Sequence, residues 1–331
     1  MSLELAELKQ QKFLNFCFKI KGKAMNNRVS LIGVPSDIGA SDRGASMGPE
    51  ALRVAGLTRI LEKQGCTVKD IGDVTGPKNP ERPPVDGYRH LEENVIWAKN
   101  IHDAIYGEMD QGNFPIMMGG DHAMSIGSVA AVANYCAKND KPVCMLWIDA
   151  HADFNTSETS PSGNIHGMPV AVAVGLGHPD LLSIGHAIPM VPPKNVYQVA
   201  IRSVDKNEKL LVIKSGIKVY DMRHIDEIGI RKAMQEILQD VADKGAHLHV
   251  SFDVDSLDPP IAPGVATTVP GGLTYREAQL CMEMVHDSGL MGSLDIAEIN
   301  PALDIKNGTA KIAVDLTASL FGRQIFPNHK L

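Results

Sequence analysis

Eight short runs rich in apolar and β-branched residues punctuate this chain. They lie near Val29–Pro35, Thr67–Gly72, Phe114–Met118, Val143–Ile148, Val196–Ile201, Lys218–Tyr220, Leu248–Phe252 and Gly292–Ile296. Longer stretches with amphipathic spacing separate most of them, among them Gly48–Gln64, His90–Gln111, Ser125–Lys138, Glu227–Lys244 and Thr274–Asp287. Runs this short and apolar read as strands buried on both faces, because a half-exposed strand alternates with polar residues. Strand, helix, strand in steady succession implies parallel pairing, with helices packed over both faces of the sheet. Helix starts are marked as well. Pro49 beside Gly48 suits a first helical turn, and Thr274 followed by Glu277 forms a capping box. The expectation is an α/β fold on one large parallel sheet.

No shift in composition divides the 331 residues. Residues 29–331 are expected to form a single domain, preceded by an N-terminal extension, 1–28, that is non-native or flexible. Three Pro/Gly-rich segments, Thr75–Asp86, Ser157–Pro169 and Pro259–Gly272, read as long inserts, and such inserts in compact domains are commonly functional. The net charge of −7 provides no positive field to collect nucleic acid or anionic lipid. The longest apolar run, Met168 to Leu176, is far short of the ~18 residues that span a membrane. Five scattered cysteines without a CxxC pair (Cys17, Cys66, Cys136, Cys144 and Cys281) fit reduced thiols in a cytoplasmic protein.

Ligands of open parallel sheets bind beyond the carboxyl ends of the strands, and there this sequence gathers its acids and histidines. The third run leads into Gly119-Gly120-Asp121-His122. The fourth leads into Asp149-Ala150-His151-Ala152-Asp153, and the seventh into Asp253-Val254-Asp255. Alternate residues of a strand share a face about 6–7 Å apart, so a slight bend at the strand end lets such a row converge on ions held at ~2.1 Å. A single "GGDH" is ordinarily a turn, and a single "DxD" a solvated strand end. Three such motifs after buried-looking runs are another matter, since unpaired charge is not expected there. Two histidines and at least four aspartates offer too many oxygen donors for a structural zinc site. They fit a pair of carboxylate-bridged ions, with Mn²⁺ the expected occupant, at the mouths of three neighbouring strands.

Taken together, "GGDHA", "DAHADFN", "SGNIHG" and "SFDVDSLDPP", with "GASMGPEALR", "PGGLTYRE" and "LDIAEINP", resemble the ureohydrolase family, and within it the arginases. The resemblance runs from about Val29 to Phe321. It implies a three-layer α/β/α sandwich on an eight-stranded parallel sheet. It implies two Mn²⁺ ions held by His122, Asp149, His151, Asp153, Asp253 and Asp255, with Asp149 and Asp253 bridging. The implied reaction is hydrolysis of the L-arginine guanidinium to L-ornithine and urea by a metal-bridging hydroxide.

Further roles follow from the same resemblance. Asn155, Ser160, Ser162 and Asn164 bind the α-carboxylate, where uncharged donors select by geometry at low desolvation cost. Asp205 and Glu208 accept the α-ammonium, although Ser203 stands where arginases commonly have an Asp. Thr267 belongs to the substrate site, and Glu298 holds the guanidinium by charge-assisted hydrogen bonds. Asp153 and His166 move protons. A homo-oligomer, trimer or hexamer, is implied too. The alternatives are another ureohydrolase, a guanidinobutyrase or agmatinase, and a non-catalytic relative that binds a guanidino or polyamine ligand.

Overall fold

The structure, a computed structural model, describes residues 27–324. Of the expected extension, 1–26 lie outside the described residues, while Arg28 already opens the first strand. Eight strands form one sheet: β1 (Arg28–Gly33), β2 (Thr67–Asp73), β3 (Phe114–Met118), β4 (Val143–Ile148), β5 (Val196–Ile201), β6 (Lys218–Asp221), β7 (His247–Asp253) and β8 (Met291–Ala297). Their order is β2-β1-β3-β8-β7-β4-β5-β6, and every neighbouring pair is parallel.

The three layers follow from the period of a strand. Cys144, Leu146 and Ile148 of β4 point into one apolar core, beneath helices that include Ile230–Asp243 and Tyr275–Ser288. Val143, Met145 and Trp147 point into the other, beneath Leu91–Asp110 and Ser125–Lys138. A central strand is therefore buried on both faces, as β3, β4, β5 and β7 are along their whole length. The edge strand β2 carries Lys69, Asp70 and Asp73 and is mostly exposed, which discourages pairing with another chain. The expected α/β/α sandwich on an eight-stranded parallel sheet is the fold that forms.

Two helices expected as continuous are broken. Gly48–Gln64 divides into Gly48–Ala55 and Leu57–Lys63 at Gly56, whose φ of 91° lies in the left-handed region. The Glu227–Lys244 stretch divides at Gly229, with φ 79°, and its first piece starts earlier, at Met222. Glycine reaches that region without a Cβ clash and ends a helix there. Strand order matters most for function. It sets the carboxyl ends of β3, β8, β7 and β4 side by side, so β3 and β7 are not adjacent as expected: β8 lies between them.

Candidate metal centre and substrate pocket

After β3 the chain turns sharply at Gly119-Gly120. A Cβ at Gly120 would sit 2.5 and 2.6 Å from the carbonyl oxygens of Ser36 and Val34, so only glycine lets this turn pass the end of β1. Asp121 then accepts the Ala123 amide and caps the short helical turn that carries His122. His122 is buried. Its Nε2 lies 2.8 Å from Ser251 Oγ, and its ring stacks on Trp147 at 4.0 Å between centroids. Trp147 in turn donates from Nε1 to Asp149 Oδ2 at 2.9 Å.

Asp149, His151 and Asp153 do not lie along a strand, because β4 stops at Ile148. The chain bends instead. His151 bridges to Ser203 beyond β5, and Asp153 adopts a φ of 47°. Glu298, one residue past β8, also has a positive φ, 63°. Such backbone costs a non-glycine residue of order 1 kcal/mol or more, and where it occurs in a pocket it aims a side chain.

The bends bring the expected donors together. His122 Nδ1 lies 3.1 Å from Asp149 Oδ2, 3.3 Å from Asp153 Oδ2 and 3.0 Å from Asp253 Oδ2. His151 Nδ1 lies 2.9 Å from Asp255 Oδ2 and 3.5 Å from Asp149 Oδ1. Two groups can each hold a metal ion: His122, Asp149 and Asp253, and Asp149, His151 and Asp255. The donor atoms within each lie no more than 4.8 Å apart. Asp149 is common to both, whereas Asp253 belongs to the first.

Charge inside this cluster is far from balanced. Burial and the Asp255 and Asp149 charges raise Asp253 well above the usual carboxylate range, and burial with the Asp149 charge lifts Asp153 to about 7. Burial would raise Asp149 too, but its contacts with His122 and His151 hold it below that range. Burial alone would discharge His122, yet the three surrounding carboxylates drive its affinity for a proton well above normal. The ion pairs these acids make are all with histidine; none is with Lys or Arg among the described residues. His122 Nδ1 makes no aligned hydrogen bond despite its three close oxygens. A ligand atom left unbonded, in a buried cluster that draws protons for want of positive charge, fits divalent cations.

A cavity of about 210 Å³ opens above the cluster. Glu298 forms part of its floor. Its Oε1 accepts from the His122 amide at 2.8 Å and pairs with His166 Nδ1 at 3.0 Å, while its buried Oε2 has no partner among the described residues. Burial alone would lower the His166 pKa, but Glu298, with Asp121 and Asp153 nearby, raises it to about 9. That is above the value near 6.5 at which a free imidazole exchanges protons.

The rim holds the remaining expected residues. Ser160 Oγ accepts the Gly163 amide and Ser162 Oγ the Asn164 amide, so both hydroxyl protons are left to donate into the pocket. Asn155 Nδ2 donates to Asp205 Oδ2 at 3.1 Å, and its buried Oδ1 has no partner among the described residues. Glu208 lines the wall, but its oxygens already accept the Phe154 and Asp205 amides, so it supports Asp205 from behind. Thr267 donates to Asp255 Oδ2 at 3.2 Å.

A family model described as the arginase family matches residues 27–322. The arginase of Agrobacterium fabrum is 45% identical over 301 residues, covering 89% of this chain and 91% of its own. The chain belongs to the arginase family. The solved structure of Bacillus caldovelox arginase matches this arginase-family fold with a TM-score of 0.86 at 40% identity, covering 91% of this chain and 100% of that one. The Bacillus subtilis arginase structure gives 0.84 at 40% identity with the same coverage. The chain is an arginase-type ureohydrolase.

Sequence reading passed over the supports of this arginase-family site. Trp147 and Ser251 stand two residues before Asp149 and Asp253, near the carboxyl ends of β4 and β7. Asp295 of β8 accepts from Ser125 Oγ at 3.0 Å and from Ser128 Oγ. A polar residue inside a buried strand, two positions before Asp253 for Ser251 and three before Glu298 for Asp295, was the available signal for these two. Trp147 is apolar enough to read as core alone.

Proposed function

We propose that this protein hydrolyses L-arginine to L-ornithine and urea, with two divalent cations held by His122, Asp149, His151, Asp153, Asp253 and Asp255. Six oxygen and imidazole donors favour Mn²⁺ over metals that prefer thiolate. When bound, such cations neutralise the acids and make water a nucleophile near neutral pH. The observation that carries the reading is Glu298 Oε2: a buried carboxylate oxygen, without a partner among the described residues, on the floor of a pocket rimmed by uncharged donors. A guanidinium is its natural complement, because a planar fork of N–H donors matches a carboxylate.

This chain's residues then have distinct tasks. Glu298 orients the guanidinium over the donor cluster, and holding the carbon in line with the nucleophile supplies several kcal/mol of barrier reduction. Asp153, itself one of those donors, carries a proton toward the leaving amine. His166, whose side chain keeps 17% of its exposure, exchanges protons with solvent. Asn155, Ser160, Ser162 and Asn164 receive the α-carboxylate, Asp205 backed by Glu208 receives the α-ammonium, and Thr267 trims the wall beside Asp255. Self-association as a trimer or hexamer and residence in a reducing cytoplasm belong to the same reading. The buried free thiols of Cys136, Cys144 and Cys281 agree with the latter, and sedimentation checks the former.

The deciding experiment measures urea release by the Mn²⁺-loaded protein from arginine, agmatine and guanidinobutyrate. Arginine is expected to be preferred. Preference for agmatine or guanidinobutyrate overturns the substrate assignment, and no release from any of them overturns the enzyme reading.

A further inference from the structure

The carboxylate-binding loop does not hold itself in place. Segment 84–90, which takes in the end of the Thr75–Asp86 insert, lies against it at several points. Arg89 N–H donates to Gly163 O at 2.8 Å. Gly163, with φ 69°, sits so close that a Cβ would come within 2.9 Å of Pro84 Cβ and 3.1 Å of Gly87 O. Gly87, with φ 78°, would place its own Cβ 2.4 Å from Ser157 O. The segment is itself anchored, by the buried Tyr88 ring and by His90 Nδ1 at 2.9 Å from Ile38 O.

The informative contact is at Asn164. Arg89 Nε donates to Asn164 Oδ1 at 2.8 Å, and Ser41 Oγ donates to the same oxygen at 2.9 Å. An arginine has only donors, so this bond decides which end of the amide is oxygen. The other end, Nδ2, has no protein partner among the described residues, and Asn164 lines the pocket. We propose that Arg89 is a specificity-determining positioning residue: by gripping the Asn164 carbonyl it keeps the NH₂ group available to a substrate carboxylate. This rests on the reading of the pocket as an arginine site and names how that site discriminates.

Freed from Arg89, the amide can rotate. Its carbonyl then faces the carboxylate in part of the population, which repels the ligand and wastes a donor. A substrate without a carboxylate is indifferent to the change. Arg89→Ala is therefore expected to raise KM for arginine about tenfold while kcat stays within about twofold. The Ki of L-ornithine should rise in parallel. Agmatine, measured as substrate or competitor, should be unaffected. Ser41→Ala should produce a smaller shift of the same kind, and Arg89→Lys should recover part of the loss.

A melting curve for each variant shows whether it is folded. If Arg89→Ala does not fold, Ser41→Ala and Arg89→Lys carry the same comparison. Equal changes for arginine and agmatine, a collapse in kcat, or no change in any folded variant would overturn the proposal. Wild-type protein that releases no urea from arginine would instead overturn the functional reading beneath it.

Discussion

At Glu298 the two oxygens of one carboxylate have different fates. Oε1 is saturated by the His122 amide and by His166, and that fixes the side chain; Oε2 stays unpaired. Glu298→Gln keeps the shape and removes the charge. It should cut kcat/KM for arginine by about a hundredfold, since charge-assisted bonds are roughly twice as strong as neutral ones. Cation content, read by elemental analysis, should not change, because Glu298 belongs to neither donor group. Trp147→Phe tests the opposite case. It keeps most of the packing but removes the Nε1 donor to Asp149, so cation affinity measured by calorimetry should fall about tenfold. The acids and histidines of the cluster were visible in the sequence because charge after a buried run is conspicuous. That Glu298 has one free oxygen, and that Glu208 has both engaged, was not visible, since partners on other segments decide it.

Among elements, those with a local cause were legible. The helix Tyr275–Ser288 begins where the Thr274 and Glu277 pair predicts, with both side chains bonded to the opposing backbone amides. Thr274→Ala should cost about 1 kcal/mol, a drop of about 2 °C in melting temperature for a chain this size, with urea release unchanged. β3, β4 and β5 also lie at their expected limits. The broken helices were missed because the amphipathic pattern continues across Gly56 and Gly229, and only the backbone angle reveals the interruption. Gly308–Leu320, unforeseen, is buried over most of its surface and so carries little polar period to mark it.

Over the whole molecule, the concentrated buried charge makes stability depend on what neutralises it. Stripping divalent cations with a chelator should lower the melting temperature, and added Mn²⁺ should restore it in a concentration-dependent way, by linkage of binding to folding. A separate acid sensitivity comes from His247, buried at the start of β7 beside Ser293. Burial, helped by the Lys141 charge, lowers its pKa to about 3 from an ordinary 6.5. Above pH 6.5 the folded and unfolded chains are both neutral there. Below it the unfolded chain takes up a proton that the folded one refuses, so stability falls as pH drops toward 3, by about 1.4 kcal/mol per unit. His247→Asn should remove about 2 kcal/mol of the stability lost between pH 7 and pH 5, measured by denaturant titration at each pH.

The primary structure alone determined the parallel α/β plan and the kinds of group, carboxylate and imidazole, that gather at the strand ends. Both rest on short-range facts: the period of apolar residues along a segment, and the kind of group standing where a buried run stops. The order of the strands, the placing of β8 between β3 and β7, the bends at Asp153 and Glu298 and the orientation of the Asn164 amide came only with the folded chain. Each depends on contacts between segments tens to hundreds of residues apart. Such contacts are chosen by packing and hydrogen bonding across the entire sheet, and no local stretch of residues encodes them.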